Sequence, residues 1–340
     1  MSESRKTIDI VAIGGGNGLA TLLSGLKEFV GSDSYGFEVA KLGAIVAVTD
    51  DGGSSGRLRV ELGMPPPGDI RNCMVALSED SQLLSQLFRH RFAGNGDLGG
   101  HSFGNLFLAA LSEITGDFAE AVRLSSEILA SKGQIYPATN TDVRIGAELI
   151  DGTIISGETN IARVGTSIKR LYLEPADCIP MPAAIDAILA ADIITLGPGS
   201  LYTSLLPPLL VNGVVDAIAA SGAVKVFVCN LMTQPGETDG LTSRRHLEIV
   251  REYAPELNFD FVLVNNELIS EKQFERYRSE GAEQIGVHGS IEDAVVEGAE
   301  LIYGNLLDEN EKVRHNPRRL ALAVIDCLEK KVPARSFQIA

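Results

Sequence analysis

Short runs of apolar residues alternate with amphipathic stretches along almost the whole chain. The apolar runs cover residues 8–13, 41–49, 193–196, 224–229, 261–264 and 301–303. They are continuous rather than alternating with polar residues, as is typical of strands buried on both faces of a parallel sheet. Helical sequence follows or lies near each run. The pattern therefore predicts a Rossmann-like, doubly wound α/β fold with a mostly parallel sheet.

One region departs from this rhythm. Residues 144–173 are rich in Ile, Val and Thr, and Asp151-Gly152 separates two strand-like runs. An Asp-Gly pair in that position is typical of a two-residue hairpin turn, so we predict an inserted antiparallel β-hairpin over 144–173. The rest of 1–340 is expected to form one domain around it, with flexible ends at 1–6 and 332–340.

Composition and charge narrow the classes of function. Of the 340 residues, 45% are hydrophobic and 22% are charged, which is typical of a globular protein. Lys and Arg number 29 against 45 Asp and Glu, a formal charge of −16, so we do not expect nucleic acid as a partner. Four well-separated cysteines without a C-x-x-C pair indicate buried thiols and no metal site. The start shows no signal pattern and no apolar stretch approaches about 18 residues, so we expect a cytoplasmic protein without a membrane span.

The clearest chemical signal is a glycine-rich turn between the first predicted strand and a helix. It contains Gly14, Gly15, Gly16, Asn17 and Gly18. The dinucleotide fingerprint G-x-G-x-x-G fails here, because its sixth position is Leu19. What remains is a turn whose N–H groups and helix N-terminus can face an anion, and whose small residues let a phosphate approach. The alternative is a tight turn without a ligand.

A second turn of the same design follows the predicted strand at 193–196. It contains Gly197, Pro198, Gly199 and Ser200. Its N–H groups and hydroxyl could also be aimed at an anion. Ligands of doubly wound sheets bind at the carboxyl ends of the strands, where both turns are expected. Together the two turns predict one extended phosphorylated ligand.

A polar loop between the two turns adds acidic and basic candidates. Asp50 and Asp51 end a predicted strand, where acidic side chains commonly bond sugar hydroxyls in nucleotide-binding folds. The glycine-rich sequence after them is expected to be functional rather than a solvated surface loop. Its ligand-binding candidates are Ser54, Ser55, Arg57, Arg71 and Asn72, of which the arginines can pair with phosphate in a bidentate manner.

Further candidates lie in three later segments. His101 and Asn105 belong to GGHSFGN, which we interpret as a polar helix N-terminus lining the cleft; a hydrolase is disfavoured because the G-x-S-x-G elbow is absent. His101 joins Asp50 and Asp51 as a catalytic candidate, although it could equally be a hydrogen-bonded structural residue. Asn230 and Thr233 could read a base or sugar, and Tyr277 and Arg314 could stack on or pair with a nucleotide. Surface placement explains the last pair equally well.

Six motifs in this order resemble the YvcK group of the CofD-like family, the gluconeogenesis factors. They are GGGNGLATLLSGLK, VTDDGGSSGRLR, PPPGDIRN, GHSFGNLFL, LGPGSLYTSLLP and VCNLMTQPGET, and they span nearly the whole chain. The resemblance implies a Rossmann-like sheet with an inserted β region. It also implies binding of a UDP-sugar, particularly UDP-N-acetylglucosamine, and a role in carbon-source adaptation, cell shape and envelope synthesis.

The resemblance also assigns residues. By motif it points to Gly15, Gly16, Asn17, the Asp50/Asp51 pair, Asn230, Thr233, Tyr277 and Arg314. The related 2-phospho-L-lactate transferase has a Ser-Pro-Asp stretch associated with its deazaflavin acceptor. This chain has MPPPGDIRNC there, which puts deazaflavin transfer in doubt.

Three functions follow from these observations. The first is a regulatory sensor that binds a UDP-sugar without turning it over, with a homo-oligomer and regulatory protein partners expected but not identified. The second is a CofD-like transferase that moves a phosphate-linked group, in which Asp50 or Asp51 acts as base or binds Mg²⁺. The third, an NAD dehydrogenase, is weakened by the register of the glycines.

Overall fold

The computed structural model describes residues 6–32, 37–79, 82–164, 168–286, 295–296 and 298–331. The strands are β1 (Lys6–Gly14), β2 (Phe37–Val46), β3 (Gln134–Pro137), β4 (Arg144–Leu149), β5 (Ile154–Ser156), β6 (Ile168–Glu174), β7 (Ile193–Leu196), β8 (Val224–Val228), β9 (Phe261–Asn265), β10 (Val295–Val296) and β11 (Ala299–Gly304). Apart from Lys6, the ends expected to be flexible lie outside the described residues.

Helices connect most of these strands. They are α1 (Gly16–Leu26), α2 (Gly53–Leu62), α3 (Gly68–Leu77), α4 (Gln82–Arg89), α5 (Phe103–Thr115), α6 (Phe118–Ile128), α7 (Glu158–Ile161), α8 (Pro182–Ala190), α9 (Leu206–Leu209), α10 (Val214–Ala220), α11 (Ser243–Tyr253), α12 (Glu271–Ser279) and α13 (Pro317–Lys331). A 3₁₀ turn, Lys27–Phe29, follows α1, and a π-helical turn, Leu201–Leu205, precedes α9.

Eight strands form one sheet in the order β10-β11-β9-β8-β7-β1-β2-β3. All neighbours are parallel except β10 and β11. The chain builds outward from β1 through β2 to β3, then returns to β7 and builds outward in the opposite direction. The order therefore reverses between β1 and β7, and the predicted doubly wound, mostly parallel sheet is confirmed.

The sequence pattern located six of these eight strands and missed the two edge strands, β3 and the two-residue β10. The four residues of β3, one of them proline, are of moderate hydrophobicity and give too weak a periodic signal. The start of α13 is specified by local sequence. Asn316 is its N-cap, because Asn316 Oδ1 accepts a hydrogen bond from the Arg319 N–H at 2.9 Å, and Pro317 is the first helical residue.

The predicted antiparallel insertion is a separate three-stranded sheet in the order β5-β4-β6. Its turn is one residue longer than the two-residue turn expected from Asp151-Gly152. The Leu149 N–H donates to the Thr153 carbonyl at 2.8 Å, which leaves residues 150–152 in the turn. Gly152 has φ +85°, which is typical of the left-handed residue that closes a three-residue hairpin loop. Residues 165–167, ahead of β6, lie outside the described residues.

The core packs on both faces of the main sheet. β7 is buried along its whole length, and α1 packs beside α3 and α13. A Cβ on Gly25 would lie 2.0 Å from the Pro317 carbonyl oxygen, so glycine permits the close approach of α1 and α13. The four cysteines are buried free thiols, as predicted.

No single helix among the described residues is long and apolar enough to cross a bilayer. The bent pair Leu201–Leu209 and Val214–Ala220 meets the length and composition criteria only when its two parts are joined across a 75° break.

Candidate functional site

A cavity of about 390 Å³ opens at the carboxyl ends of β1 and β7, where the strand order reverses. Crevices at such reversals are the usual ligand sites of doubly wound sheets. Nine residues singled out from the sequence lie in its wall: Gly15, Gly16, Asn17, Gly18, Pro198, Gly199, Ser200, Asn230 and Arg314. The two glycine turns and the distant Arg314 therefore surround one space.

The first turn presents the N-terminus of α1 to this cavity. Gly15 is the N-cap of α1 and offers no side-chain cap. The N–H groups of Asn17 and Gly18 have no acceptor among the described residues. Free N–H groups at a helix N-terminus bind anions well. Gly14 precedes them at the end of β1, where its carbonyl accepts from the Ala47 N–H at 2.8 Å.

Glycine at position 18 lets the two turns touch. A Cβ there would lie 2.3 Å from the Pro198 carbonyl oxygen, well inside van der Waals contact. Gly197 donates its N–H to the Ile13 carbonyl at 3.0 Å, which joins the second turn to the end of β1. The two turns are thus one packed unit.

The second turn differs from the expectation that its backbone N–H groups face the ligand. The Gly199 N–H donates to Asn230 Oδ1 at 3.1 Å, and Asn230 Nδ2 donates back to the Gly199 carbonyl at 2.7 Å. Asn230 therefore holds the turn, and Gly199 has no free amide to offer. Instead the turn presents the hydroxyls of Ser200 and Ser204, which lie in the wall.

The helical segment after the second turn is already capped by a buried carboxyl group. Glu237, only 2% exposed, accepts hydrogen bonds from the N–H groups of Tyr202, at 3.0 Å, and Thr203. Burial raises the pKa of Glu237 to about 7, against the effect of these two bonds. Its carboxyl occupies the place at which a ligand anion was expected.

Two carboxyl groups that the sequence analysis did not single out face the same cavity. Asp69, near the start of α3, accepts a hydrogen bond from the Gly16 N–H, and Glu158 begins α7 of the insertion. Desolvation and the nearby Asp50 raise the pKa of Asp69 to about 7. Desolvation, followed by Asp69 and Asp50, raises the pKa of Glu158 to about 9. Carboxyls crowded together in this way must hold protons or share a cation.

Asp50 and Asp51 lie behind this wall rather than in it. Asp50 Oδ1 accepts from the Gly52 N–H at 2.8 Å. Asp51 Oδ1 accepts from the Thr159 hydroxyl at 2.7 Å and the Thr159 N–H at 3.0 Å. Asp51 thereby ties the end of β2 to α7 and fixes the position of Glu158.

The predicted polar helix N-terminus forms a buried hydrogen-bonded cluster away from the cavity wall. Ser54 Oγ lies 2.9 Å from His101 Nδ1, and Asn105 Nδ2 donates to Ser54 Oγ at 3.1 Å and to Ser55 Oγ at 3.5 Å. Desolvation, with a smaller contribution from Arg57, lowers the pKa of His101. With Nδ1 as acceptor, this cluster locks α2 against α5.

The two predicted phosphate-binding arginines form hydrogen bonds with other groups of the chain outside the cavity wall. Arg57 donates to the carbonyl of Gly99 at 2.7 Å and to that of Asp97 at 2.6 Å. Arg71 Nη2 donates to Asn72 Oδ1 at 2.5 Å. Neither these arginines nor Asn72 line the cavity.

Of the late candidates, the structure brings Arg314 to the wall and places Thr233 and Tyr277 behind it. Thr233 pairs with Glu283, its hydroxyl accepting from the Glu283 N–H at 2.8 Å. Tyr277 Oη accepts from the Val313 N–H at 3.1 Å, so it braces the residue before Arg314. Arg314 itself is exposed and lines the cavity beside His315.

A second cavity, of about 750 Å³, lies between α6, β3 and the start of α8. None of the residues singled out from the sequence lies in its wall. We take the smaller cavity as the candidate site because it alone of the two stands at the reversal of strand order and beside the N-terminus of α1.

The family model described as 2-phospho-L-lactate transferase CofD matches residues 10–307. The chain belongs to this family. It is 45% identical over 321 residues to the gluconeogenesis factor of Halalkalibacterium halodurans, covering 94% of this chain and 97% of that relative. It is 43% identical over 322 residues to the gluconeogenesis factor of Bacillus subtilis, covering 94% and 98%.

A solved structure supports the same assignment. The crystal structure of a UPF0052 family member from Bacillus halodurans has a TM-score of 0.87 at 45% identity, covering 94% of this chain and 99% of that one. The resemblance to the YvcK group of the CofD-like family is thereby confirmed.

The residues of this CofD family member that sequence reasoning missed are Asp69, Glu158 and Ser204. Asp69 lies within the motif PPPGDIRN, and its place directly after a glycine at a helix start could have drawn attention to it. Ser204 follows the second turn by one helical turn. Glu158 had no such signal, because only the tertiary contact between Asp51 and Thr159 brings α7 to the cavity.

Proposed function

We propose that this chain is a cytoplasmic regulatory protein that binds a UDP-sugar, UDP-N-acetylglucosamine in particular, in the cavity between β1 and β7. The observation that carries the proposal is that the N-terminus of α1, with the unpartnered N–H groups of Asn17 and Gly18, and Arg314 line one cavity at the reversal of strand order. Relatives named gluconeogenesis factor support a role in adaptation to the carbon source. The proposal extends this role to cell shape and envelope synthesis, which the resemblance to the YvcK group implies.

The chemistry of the wall suits a nucleotide diphosphate. The free N–H groups of Asn17 and Gly18 can donate to phosphate oxygens, and the Arg314 guanidinium can pair with them in a bidentate manner. Ser200 and Ser204 add hydroxyls for the phosphates or the sugar. The cavity volume of about 390 Å³ lies in the usual range for sites that bind small molecules.

Binding without turnover is favoured by what the wall contains. No Ser, Thr or Cys among the described residues of the wall has a hydrogen bond to a histidine or carboxylate. The Ser54–His101 pair, the most nucleophile-like contact observed, lies in the buried cluster. A protein that senses the concentration of a ligand must bind the ligand and change its interactions in response. The proposal therefore includes self-association and regulatory protein partners. Light scattering with and without ligand tests the self-association.

A CofD-like transferase that moves a phosphate-linked group is the second candidate, and the carboxyls around Asp69 favour it. No set of three or more potential ligands among the described residues converges on a metal ion. Mg²⁺, however, is usually held by one or two carboxylates together with substrate phosphates. Asp69, bonded to the first N–H of α1 and close to Asp50, fits that arrangement. Asp50 and Asp69 would hold the ion, which would neutralise phosphate charge when bound.

Titration calorimetry tests the first proposal. UDP-N-acetylglucosamine, UDP-glucose, GDP and NAD are titrated with and without Mg²⁺ into the wild-type chain, Arg314→Ala and Arg278→Ala. Arg278 is an exposed arginine of α12 outside the cavity wall, so it is the matched control. We expect UDP-sugar binding that weakens by tenfold or more in Arg314→Ala only. Equal UDP-sugar binding by both variants would show that the ligand does not bind in this cavity. Release of UMP or UDP during incubation with acceptors would show that the chain is a transferase and not a sensor.

A further inference from the structure

We propose that His315 determines which ligand the cavity accepts: its Nε2 accepts a hydrogen bond from a hydroxyl of the bound nucleotide sugar. This inference rests on the proposed function and deepens it. Arg314 would take the phosphate, and the adjacent His315 would read a hydroxyl beside it.

The backbone of His315 is fixed in the cavity wall. His315 is 7% exposed and lines the cavity. Its backbone pairs with Leu307 in an antiparallel bridge, and the Arg314 carbonyl accepts from the Asp308 N–H at 2.9 Å. A fixed backbone keeps the ring in one place, which is what selective recognition requires.

One hydrogen bond of the ring defines its tautomer. The ring bonds to the backbone of Cys229, and this bond raises the pKa of His315, as expected when a ring N–H donates to a backbone carbonyl. Nε2 is buried and has no partner among the described residues. The partnered nitrogen is therefore Nδ1, which donates, and Nε2 carries a lone pair. A buried acceptor without a partner is costly, and a ligand donor would satisfy it.

The charge state of the ring decides what it can recognise. Burial lowers the pKa of His315 to about 4, so the imidazole is neutral at pH 7. A neutral ring with Nδ1 protonated cannot donate from Nε2 to a phosphate oxygen, which only accepts. The donors of UDP-N-acetylglucosamine are the hydroxyls of the ribose and of the hexose, the uracil N3–H and the acetamido N–H. The hydroxyls of the two sugars flank the diphosphate, and His315 lies beside the arginine that would take the diphosphate, so a hydroxyl is the donor that we assign to it. His315 and Arg314 thus present an acceptor and a donor side by side.

Two substitutions separate this role from a structural one. In His315→Asn the side-chain amide can keep the Nδ1-like bond to Cys229 but loses the acceptor at Nε2. In His315→Gln the amide oxygen can reach the position of Nε2. Both variants are titrated with UDP, UDP-N-acetylglucosamine, and the 2′-deoxy and 3′-deoxyribose analogues of that sugar nucleotide, and thermal unfolding without ligand checks that each variant is folded.

We expect His315→Asn to bind the full ligand about tenfold more weakly than wild type, and His315→Gln to recover most of that loss. If a ribose hydroxyl is read, the corresponding deoxy analogue binds wild type weakly and His315→Asn no worse than the full ligand. If a hexose hydroxyl is read, UDP alone is insensitive to His315→Asn while the sugar nucleotide is not. Equal affinity of wild type and His315→Asn for every ligand would overturn the inference, whereas absence of UDP-sugar binding to wild type would overturn the proposed function instead.

Discussion

The phenol oxygen of Tyr277 accepts a hydrogen bond from the Val313 N–H, 3.1 Å away. This contact joins α12 to the short segment that carries Arg314 and His315 into the cavity wall. Tyr277 itself is outside the wall, so a loss of binding on its substitution would come from the position of its neighbours. The sequence analysis expected its ring to stack on a nucleotide or to be a surface residue, and the structure instead gives the hydroxyl a bracing contact.

Tyr277→Phe should weaken UDP-sugar binding through this brace. Removing the acceptor forfeits one hydrogen bond worth about 1 kcal/mol, so we expect a rise in Kd of about fivefold and a small change in thermal stability. Tyr303→Phe is the control, because Tyr303 is exposed and makes no described side-chain hydrogen bond. Calorimetry on both variants decides the matter: a stacking role would predict that Phe retains full affinity.

Gly18→Ala should separate the two turns. Its Cβ would lie 2.3 Å from the Pro198 carbonyl oxygen, and because that atom is backbone the second turn must shift. We expect UDP-sugar affinity to fall more than tenfold and the free energy of unfolding to drop by about 1–3 kcal/mol. At Gly222 a Cβ meets nothing within 4 Å, so Gly222→Ala should change neither quantity. Similar urea midpoints and Kd values for the two variants would contradict the packing of α1 on the second turn.

The fold was predictable because its strands are buried on both faces and leave continuous apolar runs. β7 was located to the residue, and glycines at the ends of β1 and β7 showed where the chain turns at the cavity. The edge strand β3 was missed because an edge needs less hydrophobic sequence.

The site was predictable in outline and not in its hydrogen bonds. Backbone turns are encoded locally by glycines, so the first turn could be predicted. In the second turn and the helical segment after it, Asn230 accepts from the Gly199 N–H and Glu237 accepts from the Tyr202 N–H. The two residues of these pairs are 31 and 35 positions apart in the sequence, respectively. Local sequence does not specify such partners, and for the same reason Glu158 was missed.

Ser54→Ala should destabilise the chain without abolishing ligand binding. The hydroxyl lies between His101 Nδ1 and Asn105 Nδ2, and its removal leaves both buried groups short of a partner. The expected loss is about 1–3 kcal/mol in the free energy of unfolding, measured by urea denaturation. Ser55→Ala removes only the 3.5 Å contact from Asn105 and should cost less. If Ser54→Ala instead abolished ligand binding at unchanged stability, the cluster would belong to the site.

The stability of the ligand-free, Mg²⁺-free chain should fall as the pH rises through the titration of Asp69 and Glu158. Desolvation raises their pKa values in the folded state to about 7 and about 9, respectively. Between an unfolded value near about 4 and these folded values, the native chain holds more protons than the unfolded chain. The stabilisation is therefore complete below the unfolded pKa and is lost as the pH rises through the folded pKa.

Substitution with the neutral amide tests each carboxyl over the pH range between its unfolded and its folded pKa. Asp69→Asn should flatten the fall in unfolding free energy between about pH 4 and pH 7, and Glu158→Gln should flatten it from about pH 4 to pH 9, so that Glu158 alone accounts for the part above about pH 7. Glu280→Gln, at an exposed position outside the cavity, should leave the profile unchanged. Since Asp69 accepts from the Gly16 N–H beside the proposed phosphate site, Asp69→Asn should also make UDP binding less dependent on Mg²⁺. Profiles for Glu158→Gln and wild type that run parallel from pH 5 to pH 9 would show that Glu158 ionises normally, and the crowding of carboxyls around the cavity would then not shape what it binds.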